Sequence, residues 1–199
     1  MALTIQIAKL IIKNKITMKT LKEIYENYAG PDGWGDKGTA HTYIDEYAKL
    51  LEPYRKNSTV LEIGIAFGHS MEMWCDYFID SDIIGVDIQD HGIPIDTRYK
   101  KIWCDATSES VIPFIENYKF DVIIDDGSHD PKDQIKSFEL LKNYMSKGGI
   151  YVIEDIHTLD IITEFFANSE NSSYDVEIID NRHKQNRYDD ILVVIKNFK

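Results

Sequence analysis

Phe120-Asp121-Val122-Ile123-Ile124-Asp125-Asp126-Gly127-Ser128-His129 runs from an apolar stretch into a carboxylate pair, a glycine turn and a histidine. A short apolar run bounded by turn residues reads as a buried strand. Ile150-Tyr151-Val152-Ile153-Glu154-Asp155 repeats the pattern after Gly148-Gly149 and closes on a second acidic pair. In an open parallel sheet, ligands bind beyond the carboxyl ends of the strands, so acids there suit chemistry better than solubility. Taken together, the two clusters read as a metal site with its own base.

Working outward, β-branched runs at 60–63, 83–88, 101–104, 120–124 and 150–153 alternate with amphipathic stretches near 70–78, 108–118, 131–145 and 158–168. This alternation predicts an α/β, Rossmann-like fold with a mostly parallel sheet. Two further runs, 174–179 and 191–196, flank a polar loop and predict an antiparallel pair at one edge. Upstream, apolar side chains at helical spacing between 3 and 28 predict N-terminal helices. A glycine-rich turn region at 30–35 and another helix at 42–51 follow.

A chain of 199 residues, 43% apolar and 12% aromatic, buries one sizeable core and is short for two full domains. Its 34 acidic and 22 basic residues give a formal charge of −12, which repels phosphate backbones and argues against a nucleic-acid partner. A small or neutral substrate fits better. Lys9, Lys13, Lys15, Lys19 and Lys22 all precede the first acid, Glu23, forming a basic arm suited to an acidic body or an anionic surface. Cys75 and Cys104 form no C-x-x-C pair, which points to reduced thiols in cytoplasm. The apolar start lacks the features of a signal peptide, and no run is long enough for an integral membrane segment.

Val60-Leu61-Glu62-Ile63-Gly64-Ile65-Ala66-Phe67-Gly68 sets an acid and two glycines at the first strand-to-helix turn. Gly64 and Gly68 allow close approach of a ligand to the backbone. The run is not G-x-G-x-x-G, which weakens a nicotinamide reading. Glu62 suits a ligand with an ammonium or hydroxyl groups, such as the methionine portion of S-adenosylmethionine. Asp87, about twenty residues beyond the glycines, is placed to accept ribose hydroxyls. Asp105 offers an acceptor for an adenine amino group. The bland alternative for each acid is a cap on the following helix.

At this point the chain resembles the class I S-adenosylmethionine-dependent methyltransferases. Within them it resembles the metal-dependent macrocin and mycinamicin sugar O-methyltransferases and their cephalosporin-hydroxylase-like relatives. The resemblance runs from about Asp36 to Ile195. It rests on Asp36-Lys37 with His41, Tyr43 and Tyr47, on Leu61-Glu62-Ile63-Gly64 with Ser70, Met73 and Trp74, on Asp125 to His129, and on Gly148-Gly149 before Glu154-Asp155. It implies Asp126, Glu154 and Asp155 as magnesium ligands, His129 as base, and Ser70 among the cofactor contacts. The chain lacks the large N-terminal domain of the macrolide enzymes, so a macrolide sugar is not implied as the substrate.

The chemistry is consistent with that reading. A sugar hydroxyl is a poor nucleophile at neutral pH, and oxygen-only carboxylate ligands suit a hard cation such as Mg2+. An imidazole three residues after Asp126 titrates near working pH. Otherwise Asp126 and His129 are turn residues, with Asp130 capping the helix that starts at Pro131. Asp125 is a candidate for orienting the cofactor or the loop. His41, Tyr43 and His157 are candidates for substrate contact, against packed-aromatic or solvated alternatives. Met73 and Trp74 read as core, and Arg182, His183, Lys184 and Arg187 sit in a polar loop that either covers the site or is simply solvated.

The expected organisation is an N-terminal helical extension, residues 1–52, followed by an S-adenosylmethionine-binding catalytic domain, residues 53–199. The expected activity is Mg2+-dependent O-methylation of a sugar or glycoconjugate. The alternatives are a hydroxylase-associated protein, or a non-catalytic cofactor-binding or scaffolding protein of the same fold. Carboxylates without a two-histidine facial set argue against iron. A homo-oligomer is expected because a minimal fold needs help to enclose a sugar and the apolar N-terminal helices offer an interface.

Overall fold

The computed structural model describes residues 18–28, 35–93, 96–168 and 174–197. Seven strands form one sheet: β1 (Thr59–Ile63), β2 (Asp82–Asp87), β3 (Tyr99–Trp103), β4 (Phe120–Asp125), β5 (Met145–Ile153), β6 (Asp175–Asp180) and β7 (Ile191–Lys196). Their order across the sheet is β3-β2-β1-β4-β5-β7-β6. The first five are mutually parallel; helices return the chain between β1 and β2, between β3 and β4 and between β4 and β5, whereas no helix is described between β2 and β3. The polar loop after β6 reverses direction instead, so β7 inserts between β5 and β6 and runs antiparallel to both.

The described helices are α1 (Leu21–Tyr25), α2 (Ile44–Leu50), α3 (His69–Tyr77), α4 (Ile112–Ile115), α5 (Pro131–Leu141), α6 (Leu159–Ala167) and α7 (Arg182–Gln185). They cover the sheet from two sides. Leu21, Tyr43, Tyr47 and Trp74 pack with Val60 and Ile124 on one face. Val111, Phe138 and Ile162 pack with Leu61 and Ile123 on the other. The first face matters most for the site, because α1 and α2 share a core with the sheet. Thr20 and Glu23 form a reciprocal capping box that starts α1.

Several boundaries differ from expectation. The 108–118 segment is a 3-10 turn, Glu109–Val111, followed by the four-residue α4, since Pro113 lacks the amide hydrogen that a continuous helix needs. The 131–145 helix ends at Leu141, and β5 begins at Met145, ahead of its expected start at Ile150, with a register shift against β4 that takes up Gly148-Gly149. Ile88 lies beyond β2 and is exposed. The basic positions Lys9, Lys13 and Lys15, and most of the glycine-rich turn, lie outside the described residues. Among the described residues, no helix is long and apolar enough to cross a membrane.

Strand alternation decides which acids meet. In register, Glu62 of β1 stands beside Ile124 of β4, which stands beside Val152 of β5. Side chains two residues apart share a face. Asp126 and Glu154 therefore emerge one step above Ile124 and Val152, on the same side as Glu62 and facing α2. Asp125 points to the opposite side.

Gly64 joins β1 to this end of the sheet at φ +80°, and a Cβ added there would lie 2.0 Å from the backbone oxygen of Asp126. No rearrangement of a flexible side chain relieves a clash with backbone. Gly64→Ala is expected to destabilise the fold by about 3 kcal/mol or more, which urea unfolding would measure.

Candidate active site

At the carboxyl ends of the parallel strands lies a cavity of about 740 Å3, within the ordinary size range for a small-molecule site. The β1 turn forms one wall. Asp87, at the end of β2, accepts hydrogen bonds at Oδ2 from the backbone N–H groups of Ile65 and Ala66, both at 3.0 Å, and at Oδ1 from Gln89 at 2.9 Å. It both fixes the turn and faces the cavity, so the capping and ligand readings are compatible. Ala66 sits at φ +40°, a left-handed conformation that costs a non-glycine residue energy and that Asp87 helps to hold. Asp105 also faces the cavity while its Oδ1 caps Thr107 through the backbone N–H and the hydroxyl, each at 2.8 Å.

Gly64, Ser70 and Asp125 line the same cavity. Glu62 does not reach it as a free acid. It is fully buried, and its Oε2 accepts from the Ser70 hydroxyl at 2.8 Å and the Trp74 indole N–H at 3.1 Å. Trp74, expected only as core, thus also supplies a donor. Asp125 lies on the far side of the sheet from Asp126, as alternation requires. It accepts from the hydroxyls of Ser137 and Tyr151, the latter at 2.8 Å, and burial pushes its pKa up to about 6.

The residue that organises the acidic cluster is Lys37. Its Nζ donates to Asp126 Oδ2 and Glu154 Oε1, both at 2.6 Å, and lies 3.4 Å from Glu62 Oε1. Only 3% of the residue is exposed. Burial disfavours its ammonium, but Asp126, Glu154 and Glu62 outweigh that and hold the pKa well above the usual lysine range. One cation faces three acids, and they are not equally served. Burial raises both Glu62 and Glu154 above ordinary carboxylates despite Lys37. Asp126 is only partly buried; desolvation opposes its charge, yet Lys37 and then His129 pull it below its usual value. Of the three acids, Asp126 is the one whose charged form its neighbours favour.

His129, at φ +58°, turns its ring back over the strand end. Its Nε2 lies 3.1 Å from Asp126 Oδ1 and 3.7 Å from Asp155 Oδ2. The hydrogen bond to Asp126 raises the imidazole pKa. Asp155 is also at positive φ, +52°. Its Oδ1 accepts from the Tyr43 hydroxyl at 2.7 Å and lies 3.1 Å from His41 Nδ1. His41 and Tyr43 are stacked and fully buried. Expected at the substrate, they stand behind Asp155 and reach the site through it, because the segment leading into α2 packs on the sheet. Tyr47 does the same for Glu154, donating its hydroxyl to Oε1 at 2.5 Å.

Asp126, His129 and Asp155 present donor atoms within 4.8 Å of one another, a spacing that fits one cation. The same spacing holds for Glu62, Asp126 and Glu154 around Lys37, and for Asp36, His41 and Asp155. Glu154, expected beside Asp126 and Asp155 as a ligand, directs Oε1 to Lys37 and Tyr47. His157 stands at the rim, its ring 5.9 Å from that of His129 and 5.3 Å from that of Tyr188. The 181–190 segment therefore borders the site. Asp190 anchors it by accepting from the backbone N–H and hydroxyl of Thr42 at 3.1 and 2.8 Å. In the sequence Lys37 stood within the Asp36-Lys37 motif that carries the resemblance but was given no role, and Tyr188 was not singled out. For Lys37 the available signal was a surplus of same-face acids with no cation to match.

Residues 61–156 match the family described as "Methyltransferase domain". The chain is 32% identical over 148 residues to demethylmacrocin O-methyltransferase of Streptomyces fradiae, covering 69% of this chain and 36% of that one. It is 33% identical over 131 residues to mycinamicin VI 2''-O-methyltransferase of Micromonospora griseorubida, covering 61% and 33%. The chain thus spans about a third of the length of these curated relatives. Among solved structures, MycE, a methyltransferase of the mycinamycin biosynthetic pathway in complex with Mg and SAH, superposes with a TM-score of 0.74 at 23% identity, covering 90% of this chain and 54% of that one. An rRNA methylase from Streptococcus thermophilus superposes at 0.61 with 13% identity, covering 78% and 96%. The shared architecture is the Rossmann-like class I methyltransferase fold, and it does not by itself choose an acceptor.

Tyr47→Phe keeps the packing but removes a donor from a buried acid. It is expected to cost about 1–3 kcal/mol, read by chemical denaturation against wild type.

Proposed function

We propose that this chain, which has the class I methyltransferase fold and resembles the macrocin and mycinamicin sugar O-methyltransferases, transfers a methyl group from S-adenosylmethionine to a hydroxyl of a sugar or glycoconjugate. The observation that carries this reading is the meeting of Asp126, His129 and Asp155 at one end of the strand-end cavity. That cavity also contains Gly64, Ser70, Asp87 and Asp105, the residues that would receive the cofactor. The resemblance to relatives named for sugar O-methylation supports the acceptor class.

The donor set fits a hard divalent cation such as Mg2+, with Asp126 and Asp155 as its carboxylates and Glu154 adjoining them. When bound, S-adenosylmethionine supplies an electrophilic methyl group, and magnesium supplies positive charge that acidifies a hydroxyl. The protein's own part is positioning and proton transfer. His129 accepts the proton of the acceptor hydroxyl at the ring nitrogen that does not face Asp126, and Asp126 Oδ1, 3.1 Å from Nε2, stabilises the imidazolium that results. Tyr43 and His41 hold Asp155 from behind, while Gln134 donates to the backbone oxygen of Glu154 at 2.9 Å. The site is therefore preorganised by groups that do not touch the substrate.

His157 and Tyr188, at the rim, would meet the acceptor as it enters. Net charge of −12 disfavours a nucleic-acid acceptor despite the fold shared with an rRNA methylase. A homo-oligomer and a reducing, cytoplasmic setting complete the proposal. The latter is supported by Cys75 and Cys104, which are both free thiols.

The test is incubation with methyl-labelled S-adenosylmethionine, Mg2+ and a panel of free and nucleotide-linked sugars. Label transfer that EDTA abolishes and that His129→Ala lowers by about 100-fold or more is the expected outcome. Transfer indifferent to both would contradict the mechanism. In calorimetry, Asp87→Ala is expected to weaken S-adenosylmethionine binding by about tenfold or more, equivalent to about 1.4 kcal/mol, and wild-type affinity in this variant would remove Asp87 from the cofactor site.

A further inference from the structure

Asp126 divides its two oxygens between two directions. Oδ2 turns inward to Lys37 Nζ at 2.6 Å, and Oδ1 turns outward to His129 Nε2 at 3.1 Å. The inner side is a complete carboxylate pocket: donor atoms of Glu62, Asp126 and Glu154 lie within 4.8 Å of one another, and the centre is held by an ammonium rather than a metal. The outer side, Asp126 with His129 and Asp155, has the same spacing and contains no lysine.

We propose that Lys37 is a built-in counter-cation: its ammonium fills the inner pocket of Glu62, Asp126 and Glu154, and so confines a divalent cation to the outer side, at Asp126 and Asp155, beside His129. The outer half of this proposal rests on the metal-dependent reading above, whereas the inner half stands on the described contacts alone. Lys37 is thus a positioning residue. It touches neither acceptor nor methyl group, but it decides which oxygen of Asp126 remains available.

Three features make the inner cation a fixture. The backbone around Lys37 is anchored, with the Tyr43 N–H donating to the Lys37 carbonyl and the His41 N–H to the Asp36 carbonyl, both at 2.8 Å. Gly38 lets the turn press against α1 and α2, since a Cβ there would come within 2.5 Å of the Tyr25 ring and 2.7 Å of Ile44. Glu154 Oε1 is engaged twice, by Lys37 and by Tyr47. A metal entering the inner pocket would have to expel a buried ammonium and separate it from the acids that neutralise it. An ammonium also lacks the vacant coordination positions by which a divalent ion could take up a second ligand, so the inner pocket cannot itself hold an acceptor hydroxyl.

Removing the ammonium without changing the acids should turn the inner pocket into a cation site. The experiment is calorimetric titration of the full chain with Mn2+, comparing wild type, Lys37→Arg and Lys37→Met, with melting temperature followed against Mn2+ concentration. Lys37→Met is expected to bind one Mn2+ per chain more than wild type and to be stabilised by Mn2+ more steeply, while Lys37→Arg keeps the wild-type stoichiometry. A merely structural lysine would lower stability without adding an ion. Wild-type stoichiometry in folded Lys37→Met overturns the proposal. If that variant does not fold, Lys37→Met with Glu62→Gln removes one charge of each sign; it is expected to gain the extra ion with weaker affinity, and wild-type stoichiometry there is equally fatal. Wild type that takes up no Mn2+, beside a Lys37→Met variant that takes up one, would remove the outer site and the metal-dependent reading while leaving the role of Lys37 intact.

Discussion

One buried ammonium among three acids, Glu62 and Glu154 buried and Asp126 half-buried, is the constraint around which this molecule is arranged. Three adjacent parallel strands deliver Glu62, Asp126 and Glu154 to the same face of the sheet, and carboxylates taken out of water repel one another and lose hydration. Lys37 supplies the compensating charge at 2.6 Å from two of them. Its single charge serves all three unequally: burial raises Glu62 and Glu154 above the usual carboxylate range, while Lys37 and His129 hold Asp126 below it and favour a negative charge there. That charge faces the cavity, beside His129.

The N-terminal segment carries out this compensation. Lys37, His41, Tyr43 and Tyr47 all come from the stretch between α1 and the end of α2, and each reaches an acid more than a hundred residues away in sequence or close to that. Leu21, Ile24 and Tyr25 close the same core from outside. In the described structure this segment does not behave as an appendage to a finished nucleotide-binding fold. It supplies the donors without which the strand-end acids would stand unsatisfied, and it leaves the opposite face of the sheet, with Asp125, Ser137 and Tyr151, to a separate hydrogen-bonded group.

Much of this was legible from the sequence where the signal is periodic or positional. Strand ends were found by β-branched runs that stop on acids, and β7 was read to the residue because Ile191 to Lys196 is bounded by polar positions on both sides. Period-two alternation also held enough information to send Asp125 and Asp126 to opposite faces, though reading them as a pair obscured it. Helix lengths were overestimated where Pro113 and the turn at 142–144 cut periodic stretches short. Lys37 was quoted with the Asp36-Lys37 motif, but its role was the largest omission. A lysine in a polar turn reads as solvated, and its burial depends on contacts 89 and 117 residues distant that no local pattern encodes. His41 and Tyr43 were recognised as belonging to the site but were set on its wall; their buried stacking behind Asp155 is a product of how the segment leading into α2 packs.

The central claim is that the outer side of Asp126, with Asp155 and His129, is where a divalent cation and the proton acceptor meet. Anomalous diffraction from crystals grown with Mn2+ and S-adenosylhomocysteine tests it most directly. The account predicts one strong peak within coordination distance of Asp126 and Asp155, with Lys37 still seated between Glu62 and Glu154 and the nucleoside beside Asp87. A peak in the Lys37 position with the lysine displaced, or cofactor density in the cavity with no peak near Asp126, would contradict it.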